Sequence, residues 1–149
     1  DGTAIVWESN AVVSYVAARH GAGTLWPEDP ARRSEADRWM DWQLTTLQPA
    51  LGPVFIGLIR TPPERRDLAL IDASAARLGE AMAILDRHLA ARPFVAGDAL
   101  TMGDVPVGCV CWRWANLSIA RPDLPNLTAY RARLEARPAY RAQVMLPLV

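Results

Sequence analysis

The clearest pattern along the chain is an alternating spacing of four and three. Ile71, Ala75, Leu78, Met82, Leu85 and Leu89 follow it, which puts them on one helical face, and Pro93 closes the segment. Upstream, Ala36, Trp39, Met40, Leu44 and Leu47 form a second helical stripe, with the polar Gln43 lying inside it. Pro49 and Pro53 are expected to kink or interrupt that helix, and Arg60-Thr61-Pro62-Pro63 to end it. Val105 to Ile119 is apolar nearly all round and reads as the central buried helix. Leu124-Pro125 opens a further helix, which Arg137-Pro138 ends.

The first residues carry a different pattern. Asp1-Gly2 reads as a hairpin turn and Thr3 to Trp7 as a short strand. A helix follows, with Ser9 as its N-cap, Val12, Val13 and Val16 on one face, and a stop near Gly21. Residues 22–30, rich in Gly, Thr, Pro, Glu and Asp, read as a linker. Beyond Pro30 the strand signal disappears. The expected organisation is a strand and helix over 1–21, a linker over 22–30, and an all-helical bundle over 31–149, so the fold class is mainly α.

Charge and composition narrow the class. Sixteen basic residues, all of them Arg, balance sixteen acidic ones, which argues against nucleic acid or an anionic membrane as partner. No window approaches the ~18 uninterrupted apolar residues of a membrane span. Cys109 and Cys111, two apart on an apolar helix, point to nearly opposite faces and read as small buried hydrophobes, not a disulfide or a metal pair. A soluble cytosolic protein is expected.

Few residues are left for chemistry. His20 and His88 lie far apart with no Cys, Asp or Glu at ligand spacing, so no metal is expected, and both read as solvent-facing. No nucleophile elbow or Gly-rich phosphate loop occurs. Glu8-Ser9-Asn10 is the exception. A hydroxyl at a helix N-terminus favours an anion, and the acid beside it suits an ammonium. Together they could receive the α-amino-acid end of a small ligand. On local chemistry alone the simpler reading leads: Ser9 caps its helix and Glu8 is a surface residue. Later in the chain, Thr101 and Asp104 have the spacing of a capping box at the start of the central helix.

The order of these features resembles the glutathione transferase family. The resemblance rests on the Asp-Gly turn, the strand, Glu8-Ser9-x-Ala11-Val12-x-x-Tyr15, the Trp-rich helix, and Leu100-Thr101-Met102-Gly103-Asp104-Val105 after Phe94 to Asp98. It implies that residues 1–21 are the last strand and helix of a thioredoxin-like glutathione-binding domain, most of which lies outside this chain. It assigns the carboxylate of glutathione's γ-glutamyl end to Ser9 and its amino group to Glu8, with the backbone of Asn10 assisting. It makes Thr101 and Asp104 a structural box in the helical domain.

No residue matches the family's thiol-activating Ser, Tyr or Cys, so the chain as given is expected to be inactive. The resemblance also implies a pocket for an electrophilic second substrate, for which Trp42, Gln43 and Arg113 are the candidates, and a homodimer. The implied activity is that of a bacterial-type glutathione transferase. The alternatives are a non-catalytic assembly module of the same fold, or a glutathione-dependent isomerase, dehalogenase or thiol reductase.

Overall fold

In the computed structural model, which describes residues 1–149, the regular structure is helical and no strand forms. Asp1 and Gly2 do make a turn, closed by the Ala4 N–H on the Asp1 carbonyl (3.0 Å) with Gly2 at φ 60°. The segment expected as a strand, Thr3 to Trp7, has no ladder partner, and a strand is stabilised by its neighbours rather than by itself. Helix α1 spans Ser9–His20 and ends at Gly21.

Helix α2 (Pro30–Trp42) begins under Asp29, whose side chain accepts from the Arg32 N–H (2.9 Å). It is not ended by the prolines. It passes through a π turn at Gln43–Leu47 into α3 (Gln48–Phe55) and through a second at Ile56–Arg60. In the first turn the Gln48 N–H bonds the Gln43 carbonyl, five residues back. The buried positions Ala36, Met40, Gln43, Leu47, Ala50 and Val54 still alternate spacings of four and three through it. Gln43 is 8% exposed and Leu44 48% exposed, so the apolar face expected to include Leu44 takes Gln43 and turns Leu44 outward instead.

Helix α4 (Leu68–Leu89) packs antiparallel to this long helix and buries Ile71, Leu78, Met82, Leu85 and Leu89, with Ala75 only half-buried. Helix α5 (Asp104–Asn116) packs on the long helix and on α6 (Pro125–Glu135), which also packs directly on α4, and α7 (Pro138–Gln143) follows. Their shared core runs from Leu47, Leu51 and Val54 through Leu78 and Met82 to Val107, Val110 and Leu127. The Tyr140 hydroxyl donates to the Gly108 carbonyl (2.8 Å), where a Cβ would meet Leu134 at 2.8 Å, so α5 and the α7 region approach closely only at glycine.

Two buried aspartates hold α6. Asp86 on α4 accepts from the Leu127 N–H (2.8 Å) and the Asn126 amide (3.1 Å), capping the start of α6 from another helix. Asp104 accepts from the Tyr130 hydroxyl in the middle of α6 (3.0 Å).

A second, smaller cluster joins α1 to the bundle. Ala17 packs with Ala36, Met40, Ala96 and Met102, and Val13, Leu25 and Trp26 cover it. The Asn10 side chain donates to the Met40 carbonyl (2.9 Å), and the Met102 N–H bonds the Leu25 carbonyl (2.9 Å). These contacts fix the start of α1 against α2.

Candidate functional site

The corner before α1 is the one place where the backbone departs from ordinary geometry. Glu8 is the only non-glycine residue with positive φ (φ 67°, ψ 125°), a conformation that costs on the order of 1–3 kcal/mol and persists only where the surroundings impose it. Glu8, not Ser9, occupies the N-cap position, and its side chain makes no capping bond. The cap expected of Ser9 is therefore absent. Ser9 is the first helical residue, and its hydroxyl has no protein partner because the strained residue before it has taken the half-in position. Both side chains are exposed. An acid and a hydroxyl are thus displayed at the N-terminal end of a twelve-residue helix, where the free N–H groups of the first turn and the helix dipole favour an anion.

Asn10, half-buried, is held by Met40 through its Nδ2, while its Oδ1 is buried without a partner. It fixes the corner from below.

The box at Thr101 and Asp104 is present in an altered form. The Thr101 N–H donates to Asp104 Oδ2 (2.8 Å), as a capping box requires. The reciprocal bond is missing. The Thr101 hydroxyl donates to the same oxygen (3.2 Å), and the Asp104 N–H bonds the Thr101 carbonyl instead. Asp104 Oδ1 takes two further donors, the Val95 N–H (2.9 Å) and Tyr130. Burial pushes its carboxyl above the usual range, and the donors from Val95, Thr101 and Tyr130 oppose that rise. Asp104 is a structural hub, with both carboxylate oxygens occupied by protein donors.

The three candidates for a second-substrate pocket do not converge. Trp42 is half-buried and meets Trp39 edge-on (4.9 Å, 77°), and Gln43 donates to Gln48 Oε1 (3.4 Å). Arg113 lies elsewhere. At ~1.5 Å of rise per residue, Gln43 is separated by most of α3 from Phe55, the ring over which the Arg113 guanidinium sits at 5.4 Å.

Around Phe55 is a cleft of about 220 Å³ that the sequence reading did not assemble. The end of the long helix supplies Phe55 and Arg60, α5 supplies Cys109, Trp112 and Arg113, and the segment after α7 forms the remaining wall. The Trp112 indole N–H fastens that wall by donating to the Leu146 carbonyl (3.1 Å). Arg60 also sits over the Phe55 ring, at 5.9 Å. The spacing of Phe55, Arg60 and Arg113 gives no local signal, since they come together only when α5 packs beside α3.

Neither cysteine is set up as a nucleophile. Burial raises both thiols, that of Cys111 to about 12, and the two are unpaired. His20 is exposed as expected, but His88 is not solvent-facing. Its ring packs on Trp39 (4.4 Å) and its Nε2 lies 2.8 Å from the Val95 carbonyl, which can only accept, so Nε2 carries the proton. No group of His, Cys, Asp and Glu side chains is arranged to hold a metal ion, and no helix is long and apolar enough to cross a membrane.

Residues 69–133 match the family model of the glutathione S-transferase C-terminal domain. Glutathione S-transferase GstB of Escherichia coli K12 is 42% identical over 144 residues, covering 97% of this chain and 69% of the relative. The chain belongs to the glutathione S-transferase family. The theta-class glutathione S-transferase of Xanthomonas axonopodis pv. citri, solved with glutathione bound, superposes with a TM-score of 0.96 at 43% identity, over all of this chain and 78% of that one. A more distant relative, the disulfide-bond oxidoreductase YghU of E. coli K12, is 32% identical over 111 residues, which are 73% of this chain and 35% of that protein. The matched residues run from α4 through most of α6, and the mainly helical fold agrees with the fold class expected from the sequence.

Proposed function

We propose that the protein is a glutathione transferase, joining the glutathione thiol to a small electrophile, with the γ-glutamyl end of glutathione held at Glu8 and Ser9. The observation that carries this reading is the corner itself. Glu8 is held in a strained conformation, and its side chain and that of Ser9 are exposed with every bonding position unused. Strain of this kind is retained where it displays groups to a ligand. The exposed first turn of α1 and the Ser9 hydroxyl take the carboxylate, Glu8 takes the ammonium, and the Asn10 backbone assists.

In this reading residues 1–21 belong to the glutathione-binding unit and 22–30 link it to the helical domain of 31–149. The exposure of Ile5 (92%) and Trp7 (74%), with Val12 and Val16 on α1, supports a face that packs against more of that unit. The donor that activates the thiol comes from outside these residues. The reaction is nucleophilic: the thiol loses its proton, the sulfur forms a bond to the electrophilic carbon, and the leaving group departs with the electron pair. The electrophile enters the cleft at Phe55, where the long helix, the central helix and the last segment meet. Trp42 and Gln43 act at most indirectly, through the packing of the long helix.

The active form is a cytoplasmic homodimer associating through the long helix and α1, and the exposed Leu44 and Ile56 of the long helix suit a subunit interface. The test is consumption of glutathione by the intact protein in the presence of an activated aryl halide, together with retention on immobilised glutathione. A protein that is retained but reduces disulfides without conjugating would favour the thiol-reductase alternative.

A further inference from the structure

The cleft at Phe55 carries a charge pattern that a pocket for neutral hydrophobic compounds does not need. Arg60 and Arg113 stand over the same aromatic ring, at 5.9 and 5.4 Å. Neither guanidinium takes part in any of the four ion pairs of the molecule, which occupy Arg19, Arg38, Arg92 and Arg131. Neither donates a side-chain hydrogen bond, whereas Arg33, Arg66, Arg121, Arg133 and Arg141 all satisfy backbone carbonyls. No Asp or Glu side chain lines the cleft. Two like charges held near one ring and outside every ion pair repel each other, and a single anion between them relieves that repulsion while using their planar donor forks. The rest of the lining combines the Phe55 and Trp112 rings and the Leu146-Pro147-Leu148 run with the polar side chain of Gln143. Its volume of about 220 Å³ is small, suited to one ring system rather than an extended molecule.

We infer that the Phe55 cleft selects aromatic compounds bearing a carboxylate or sulfonate, the anionic group held by Arg60 and Arg113 and the ring packed on Phe55 and Trp112. The inference rests on the reading of this cleft as the electrophile's pocket, and it names the class of electrophile: an anionic aromatic, not a neutral one. The anion-holding side chains are positioning and specificity residues and take no part in thiol activation.

The experiment is titration calorimetry on the intact protein with 2-naphthoate and with its neutral amide, 2-naphthamide. The acid should bind at least about tenfold more tightly than the amide, the margin of a charge-assisted bond. Arg113→Gln and Arg60→Gln should each remove most of that margin and leave amide binding unchanged. Raising the salt concentration should weaken the acid alone. Because both guanidinium groups are exposed and unbonded, the variants should keep the wild-type helical circular dichroism. Equal binding of acid and amide, or a margin that survives both substitutions, overturns the inference. Retention of the intact protein on immobilised glutathione separates this from the transferase reading. If retention fails while the acid is still preferred, the transferase reading falls and the anion site stands.

Discussion

The Tyr130 hydroxyl reaches Asp104 Oδ1 at 3.0 Å, across the interior from α6 to the first residue of α5. Tyr130 is fully buried, and its phenol is pushed well above its usual range, first by burial and then by the neighbouring carboxylate. The bond is therefore donated by a phenol that stays protonated at any ordinary pH. It completes a set of four donors on one buried carboxylate, joining the Val95 loop, the Thr101 turn and two helices.

Tyr130→Phe removes one donor and keeps the ring. A hydrogen bond to a charged group contributes ~1.5–3 kcal/mol, so urea denaturation should show a loss in that range. Asp104→Ala should cost more than the ~1 kcal/mol of a simple cap, because it strands the buried N–H groups of Val95 and Thr101 as well as the phenol. A loss of only ~1 kcal/mol in Asp104→Ala would reduce Asp104 to a local cap.

Gly103 sits where α5 begins, against α2. A Cβ there would lie 2.8 Å from the Ala36 carbonyl oxygen, a backbone atom that cannot move aside without shifting the helix. Gly103→Ala should therefore destabilise the protein by ~1–3 kcal/mol through overpacking, despite the better helix propensity of Ala. A neutral or raised thermal midpoint would contradict this packing.

His88 should make stability depend on pH. Burial against Trp39 lowers its pKa below 6.5, opposed by the Val95 bond and reinforced by Arg92 and Arg38. The folded state then holds fewer protons than the unfolded one in the window below 6.5, so stability rises with pH there and is lost as pH falls through it. Replacing His88 by Gln should flatten that part of the curve. An unchanged slope would show that the imidazole is not the group responsible.

The thiols offer a simple probe of the core. Cys111, held at about 12, should resist a thiol-specific reagent in the folded protein, and Cys109 should react slowly. Both should react fully in denaturant. Rapid labelling of two thiols in the native state would mean that α5 is not the buried central helix.

Much of this structure is legible in the sequence because it depends on local periodicity. The four-and-three spacing of α4 and the apolar run of α5 are buried as their patterns require. The exceptions arise where distant elements decide. Leu44 reads as core by its apolar side chain, but the packed face passes through the polar Gln43 and leaves Leu44 at its edge, a choice made by the neighbouring helices. Asp86 borders the apolar stripe of α4, four residues after Met82 and three before Leu89, and only the packing of α6 makes it a cap.

The site divides the same way. Glu8 and Ser9 are adjacent, so the pair itself can be read from the sequence. That Glu8 would take the strained position and leave Ser9 unbonded cannot. Phe55 and Arg60 lie five residues apart, but Arg113 is distant in sequence, and it alone stands out, as the lone charge between Val105 and Ala115.

The central claim is that Glu8 and Ser9 receive the γ-glutamyl end of glutathione, and glutathione binding by the intact protein measured by titration calorimetry tests it most directly. Ser9→Ala should weaken binding about tenfold, the loss of one charge-assisted bond, and Glu8→Gln should weaken it similarly by removing the ammonium's counter-charge. S-methylglutathione, which keeps the γ-glutamyl group but lacks the free thiol, should show the same losses. Wild-type affinity in both variants would contradict the assignment and return Ser9 and Glu8 to the role of an unused helix end.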